Sequence, residues 1–159
     1  MPDTDPRVEF VYQESLRGLL QQQAAVESLH NRAGTLIFAA SFASSLLGAK
    51  ALADGLNVLD WTAVGLLAAI GALTVVMLWP YYDLSFRFDA ADLLRDYVDS
   101  EPPATMTQMH RALALQIKEN FQKNGRIVRR MREAFQLALI LLVVNILVWL
   151  ASIAGLMGK

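Results

Sequence analysis

The chain has 159 residues, 55% hydrophobic and 18% charged, with a net charge of −1. That length bounds it to one domain of ordinary size, and the apolar share is high for a soluble one. The near-neutral balance offers nothing in bulk to a nucleic acid, and the absence of cysteine excludes a disulfide framework, a thiolate metal site and a cysteine nucleophile.

The first residues are acidic (Asp3, Asp5) and lack the basic-then-apolar order of a signal peptide. Asp5-Pro6 reads as a helix start, with Asp as N-cap and Pro in the first turn. Val8, Tyr12, Leu16, Leu19, Val26 and Leu29 then recur at spacings of three, four and seven, with Gln21-Gln22-Gln23 interrupting the stripe. Residues 1–32 are therefore expected to form a cytosolic amphipathic helix packed on a neighbour. The opposite face is mixed or acidic, unlike a helix lying on a membrane surface.

His30-Asn31-Arg32-Ala33-Gly34 leads into the uncharged stretch 35–49. It reaches spanning length if Lys50 extends its amine to the interface and 51–53 are included. Ala40, Ser44 and Gly48 stand four apart, and Ser41 and Ser45 form a second such pair. Small residues let helices approach closely in lipid, so these mark a packing seam; the alternative is a pore-facing line of serines. Asp54-Gly55-Leu56-Asn57 reads as a turn. Stretch 61–79 is a second span, with Trp61 at one end and Trp79, Tyr81 and Tyr82 at the other as interfacial aromatics, and Pro80 closing it. Gly65 with Ala69, and Ala68 with Ala72, repeat the small-residue spacing. Residues 33–80 are thus a transmembrane hairpin.

Residues 81–133 are expected to be cytosolic and helical. Asp89 caps a short helix with Leu93, Leu94, Tyr97 and Val98 on its apolar face, and Ser100-Glu101-Pro102-Pro103 breaks it. Thr105 and Gln108 form a capping-box pair. Met109, Leu113, Ile117, Phe121, Val128 and Met131 follow as a stripe. A single helix is expected to run from here into the terminal span at 134–159, with Gly125 as its hinge. Stretch 134–157 holds no charge and covers the roughly 20 residues a bilayer requires.

Between the second and third spans stand nine Lys and Arg: Arg87, Arg95, Arg111, Lys118, Lys123, Arg126, Arg129, Arg130 and Arg132. The short loop between the first two spans holds Lys50 and two acids, Asp54 and Asp60, so the bias places the N-terminus and the long loop in the cytoplasm and the C-terminus outside, as a multi-pass inner-membrane protein. The fold class read from the chain is an all-α membrane protein. It has three transmembrane helices and long amphipathic cytosolic helices forming a helical bundle, as a homo-oligomer.

No catalytic constellation appears: no phosphate loop, nucleophile elbow or metal-ligand cluster, so no enzyme and no cofactor is expected. Asp83, Asp89, Asp92, Asp96 and Asp99 read as a solvated acidic face. His30 and His110 read as surface or packing residues. Asn145 is the one strongly polar residue deep in the third span. It makes either an interhelical hydrogen bond or part of a pore lining, together with Ser41, Ser44 and Ser45. Arg126, Arg129, Arg130 and Arg132 read as orientation and lipid-headgroup contacts or as a site for a phosphate-bearing ligand. Nucleic acid is disfavoured by the small, membrane-adjacent patch.

This order resembles the small transmembrane effectors of Pycsar anti-phage systems. His30-Asn31-Arg32-Ala33-Gly34 stands where the family opens its first span, with His30 replacing an acidic residue. Trp79-Pro80 ends the second span, and stretch 109–150 enters the terminal one through a basic approach. The resemblance implies a membrane effector in antiviral defence. Such an effector answers a cyclic pyrimidine mononucleotide and impairs the inner membrane. The other reading is a structural or adaptor protein, or a constitutive small channel, whose cytosolic helices dock a partner.

Overall fold

Asp5 sets the first helix. In the computed structural model, which describes residues 5–53, 57–81, 84, 86 and 88–155, the Asp5 carboxylate accepts the Arg7 backbone N–H at 2.9 Å. Its carbonyl accepts those of Val8 and Glu9 at 3.0 and 3.1 Å. Pro6, with no N–H to leave unpaired, opens α1, Pro6–Ala53. This one helix carries the amphipathic stretch and the first apolar stretch without a break.

Helix α2, Val58–Leu78, begins at a reciprocal cap: Asn57 Oδ1 accepts the Asp60 N–H at 3.0 Å, and Asp60 Oδ2 accepts the Asn57 N–H at 2.8 Å. It stops before Pro80, which forces Trp79 out of helical geometry (ψ 132°). Helix α3, Ala90–Leu93, is capped by Asp89, whose carboxylate accepts the Ala91 N–H at 2.8 Å. It passes into a π-helical turn, Leu94–Val98, where the Asp99 N–H reaches the Leu94 carbonyl at 2.9 Å. The Glu101–Pro102 peptide is cis. The Thr105–Gln108 pair caps α4, Met106–Ile153, in both directions: the Thr105 N–H donates to Gln108 Oε1 at 2.9 Å, and the Gln108 N–H to Thr105 Oγ1 at 3.3 Å. Gly155, at φ 67°, ends it in the left-handed region where a Cβ would be strained. The turn expected at Asp54, Gly55 and Leu56, and the expected positions of Asp83 and Arg87, lie outside the described residues.

All four helices, with no strand among the described residues, make the chain all-α; α1, α2 and α4 are each long and apolar enough to cross a membrane. The chain divides into two compact units, Met1–Val26 with Tyr81–Arg129 and Glu27–Pro80 with Arg130–Lys159.

In the first unit, the α1 and α4 segments lie side by side and run the same way. The Asp5 N–H donates to Thr107 Oγ1 at 2.9 Å, Tyr12 stacks on His110 at 4.9 Å, and Gln22 Nε2 donates to the Phe121 carbonyl at 3.1 Å. Leu19, Val26, Leu113, Ala114, Ile117 and Val128 are buried there, with Gln22 and Asn124 among them. Two expectations shift. Gln22 does not interrupt the stripe but joins its buried face. Phe121, expected inside, is 45% exposed. Its ring sits 3.8 Å from where a Cβ on Gly18 would be, so the close helix approach leaves it over the seam rather than in it.

In the second unit, α1, α2 and α4 segments share one apolar cluster built on Ala33, Leu36, Ala40, Ile70, Met77 and Ala138. Inward positions again stand three and four apart: Ala33, Leu36, Ala40 and Ser44 in α1, and Ile70, Thr74 and Met77 in α2. A second cluster packs Trp149 on Ala63, with Leu47 and Val148 against it. The outward face is apolar as well. Phe38, Phe42, Leu46, Ile140, Val143 and Leu147 are each more than half exposed. Helices that are hydrophobic all round belong in a large core or a bilayer.

Candidate functional site

Polar groups concentrate at two places. In the second unit, a buried polar layer crosses all three helices. Ser44 Oγ donates to Asn145 Oδ1 at 3.1 Å, and Asn145 Nδ2 donates to the Ala63 carbonyl at 2.7 Å. Asn145 is fully buried. Its amide therefore joins α1 and α2 to α4 as an interhelical link, and both ends of the amide are engaged within one chain. Ser41 and Ser45 are exposed on the outer face of α1. The structure thus brings Ser44 and Asn145 together and leaves the other two serines apart from them.

A second link lies toward the α2 start. Ser152 Oγ donates to Asp60 Oδ1, and Asn57 Nδ2 donates to Ser152 Oγ at 2.9 Å. Asp60 is fully buried. From sequence it counts as a loop acid; in the structure it is the third residue of α2, where a carboxylate is favoured by the exposed backbone N–H groups. The signal was available: Asn-x-x-Asp just before an apolar run is a capping pattern.

The small-residue line Ala40, Ser44 and Gly48 is used inside the chain. Ala40 and Ser44 are buried, and a Cβ on Gly48 would lie 3.2 Å from the Trp149 ring. Within the chain the line is the packing seam: Ala40 joins the apolar cluster, Ser44 meets Asn145 and Gly48 meets Trp149. Gly65, Ala68 and Ala72 remain exposed on α2.

In the first unit, α1 and α4 flank a groove of about 490 Å³. Val8, Val11, Ala114 and Leu115 contribute its apolar surface, and Arg7, Arg111 and Lys118 its cations. None of these three has an ion-pair partner among the described residues. This groove escaped sequence reading because its cations come from segments about a hundred residues apart.

The arginines singled out from sequence are all exposed: Arg126 and Arg129 in the first unit, Arg130 and Arg132 in the second. Arg129 already has a partner within the chain. Gly125 lies inside α4, half-buried, with Gln22 Nε2 3.5 Å from where its Cβ would be. His110 is stacked on Tyr12 with its Nδ1 buried and unbonded, and His30 likewise keeps a buried, unbonded Nε2. In the acidic linker, Arg95 pairs with Asp92 and Asp96, each at 2.8 Å. The Asp96 hydrogen bond, then the charges of Asp96 and Asp92, raise its pKa above the ordinary guanidinium value. It is therefore a permanent cation.

Comparison with known proteins found no matching family model, no matching curated protein and no matching solved structure.

Proposed function

We propose that the chain is a small homo-oligomeric inner-membrane protein that perturbs or permeabilises the bilayer when triggered. Its N-terminus and its long second loop lie in the cytoplasm, where the helices form a bundle. The observation that carries the reading is the outward apolar face of the second unit. Phe38 is 71% exposed and Leu46 61%, side chains that water would penalise and lipid would not. The Lys and Arg of the second loop support the orientation.

The trigger follows from the resemblance to Pycsar effectors: a cyclic pyrimidine mononucleotide in anti-phage defence. Arg126, Arg129, Arg130 and Arg132 are then its phosphate contacts, or, failing that, headgroup contacts that fix topology. Asn145 and Ser44 satisfy each other inside one chain, so any conducting path in this reading is assembled between copies, where Ser41 and Ser45 face outward.

The test is dye leak from liposomes holding the purified chain, with and without added cyclic pyrimidine mononucleotide. Leak that rises on addition is expected. A homo-oligomer that inserts but never leaks, with or without nucleotide, would refute the effector reading. It would leave the adaptor reading, which the open cationic groove of the first unit favours.

A further inference from the structure

The groove flanked by Arg7, Arg111 and Lys118 is uncovered: Val11 is 54% exposed and Leu115 58%. The same unit carries a segment of the opposite character. Along α3 and its π-helical turn, Leu94 is 53% exposed and Val98 55%, and Asp89, Asp99 and Glu101 are exposed with no ion-pair partner among the described residues. Arg95 already holds Asp92 and Asp96, which leaves those three acids without a paired cation among the described residues. Within one chain neither surface covers the other, since both stay exposed.

We propose that the acidic segment 89–101 of a second copy docks in this groove. Its Leu94 and Val98 lie against Val8, Val11 and Leu115, and Asp89, Asp99 and Glu101 meet Arg7, Arg111 and Lys118. The dimensions agree. At about 1.5 Å rise per residue, the groove residues 7–15 and 111–118 and the helical stretch 90–98 are each roughly 10–14 Å long. A small ligand fits less well, because ligand pockets enclose most of the ligand and this groove is open. The contact joins different surfaces of the two copies, so it closes as a reciprocal two-fold pair, in which each groove takes the other copy's segment, or repeats into a ring or an open array. The inference rests on the homo-oligomer part of the proposed function and names the surfaces that build it.

The chain has no cysteine, so single cysteines report cleanly. Full-length Val98→Cys and Leu115→Cys chains, differently tagged, are co-inserted in nanodiscs and treated with a short bismaleimide. A cross-link between unlike chains is expected, well above that of either variant alone. Arg111→Glu on the Leu115→Cys chain lowers it by roughly fivefold, the scale of one exposed ion pair lost. Asp99→Lys on the other chain restores it. Lys118→Glu, with the helical circular dichroism unchanged, is a second disruptor.

No unlike cross-link with an oligomeric mass by light scattering overturns the docking alone. A monomeric mass overturns the docking and the oligomer reading together. A cross-link indifferent to both charge reversals overturns the charge matching. An organic anion that co-purifies with the chain and is lost in Arg111→Glu overturns the proposal in favour of a small-molecule site.

Discussion

Asn145 is the residue on which three helices meet. Its two hydrogen bonds, to Ser44 and to the Ala63 carbonyl, lie in a fully buried position. Interhelical hydrogen bonds between membrane segments average about 0.6 kcal/mol each, so Asn145→Ala is expected to cost roughly 1 kcal/mol. Ser44→Ala, which spares the Ala63 link, should cost about half of that. Denaturant unfolding of the detergent-solubilised chain measures both, and equal midpoints for parent and Asn145→Ala would contradict the assignment. Gly48 tests the packing beside it. A methyl there would stand 3.2 Å from the Trp149 ring, tighter than normal contact. Gly48→Ala is expected to lower stability by about 1 kcal/mol, and Trp149→Leu in the same chain to remove most of that penalty. If the two effects simply add, the ring is not what the methyl meets.

At the scale of elements, local chemistry was readable and pairing was not. Asp5-Pro6, Asp89, the Thr105–Gln108 box and Pro80 act within a turn of themselves, and each sits where the sequence puts it. Partner choice depends on residues far along the chain, which spacing within one helix does not reveal. Hence Phe121 was read as core and is half out, Gln22 was read as an interruption and is in, and Asp60 was read as loop and is buried. Gln22 and Asn124 in one unit, and Ser44 and Asn145 in the other, put polar side chains on buried faces otherwise apolar. Such residues fix register at some cost in stability. Gly125 is the weak position of α4. Ala fits there, since its Cβ would meet only Gln22 Nε2 at 3.5 Å. Gly125→Ala is expected to raise the unfolding free energy by up to about 1 kcal/mol, read as a higher denaturant midpoint, and to blunt triggered leak. Unchanged triggered leak in a stabilised variant would remove Gly125 from the mechanism.

For the whole molecule, topology is the first quantity to measure. With the N-terminus inside, cysteines at positions 2, 57 and 158 are expected to label from the cytoplasm, the exterior and the exterior respectively. Cytoplasmic labelling of 57 would invert the arrangement. Neutralising Arg129 and Arg130 together should leave insertion intact, because Arg126 and Arg132 still carry the bias, while reducing triggered leak. Normal leak would return the cluster to topology alone. The same-direction pairing of α1 and α4 has a consequence for biogenesis. The hydrogen bonds joining these helices connect residues 102, 99 and 101 positions apart. An all-helical chain thereby acquires the long-range contacts of a slow-folding β protein. A ribosome must complete most of the chain before α1 meets its partner. Until then Gln22 and Ser44 lack their α4 hydrogen bonds. Nascent chains stalled before residue 106 should accordingly be degraded by membrane proteases faster than the finished protein, and co-expression of the missing portion should protect them.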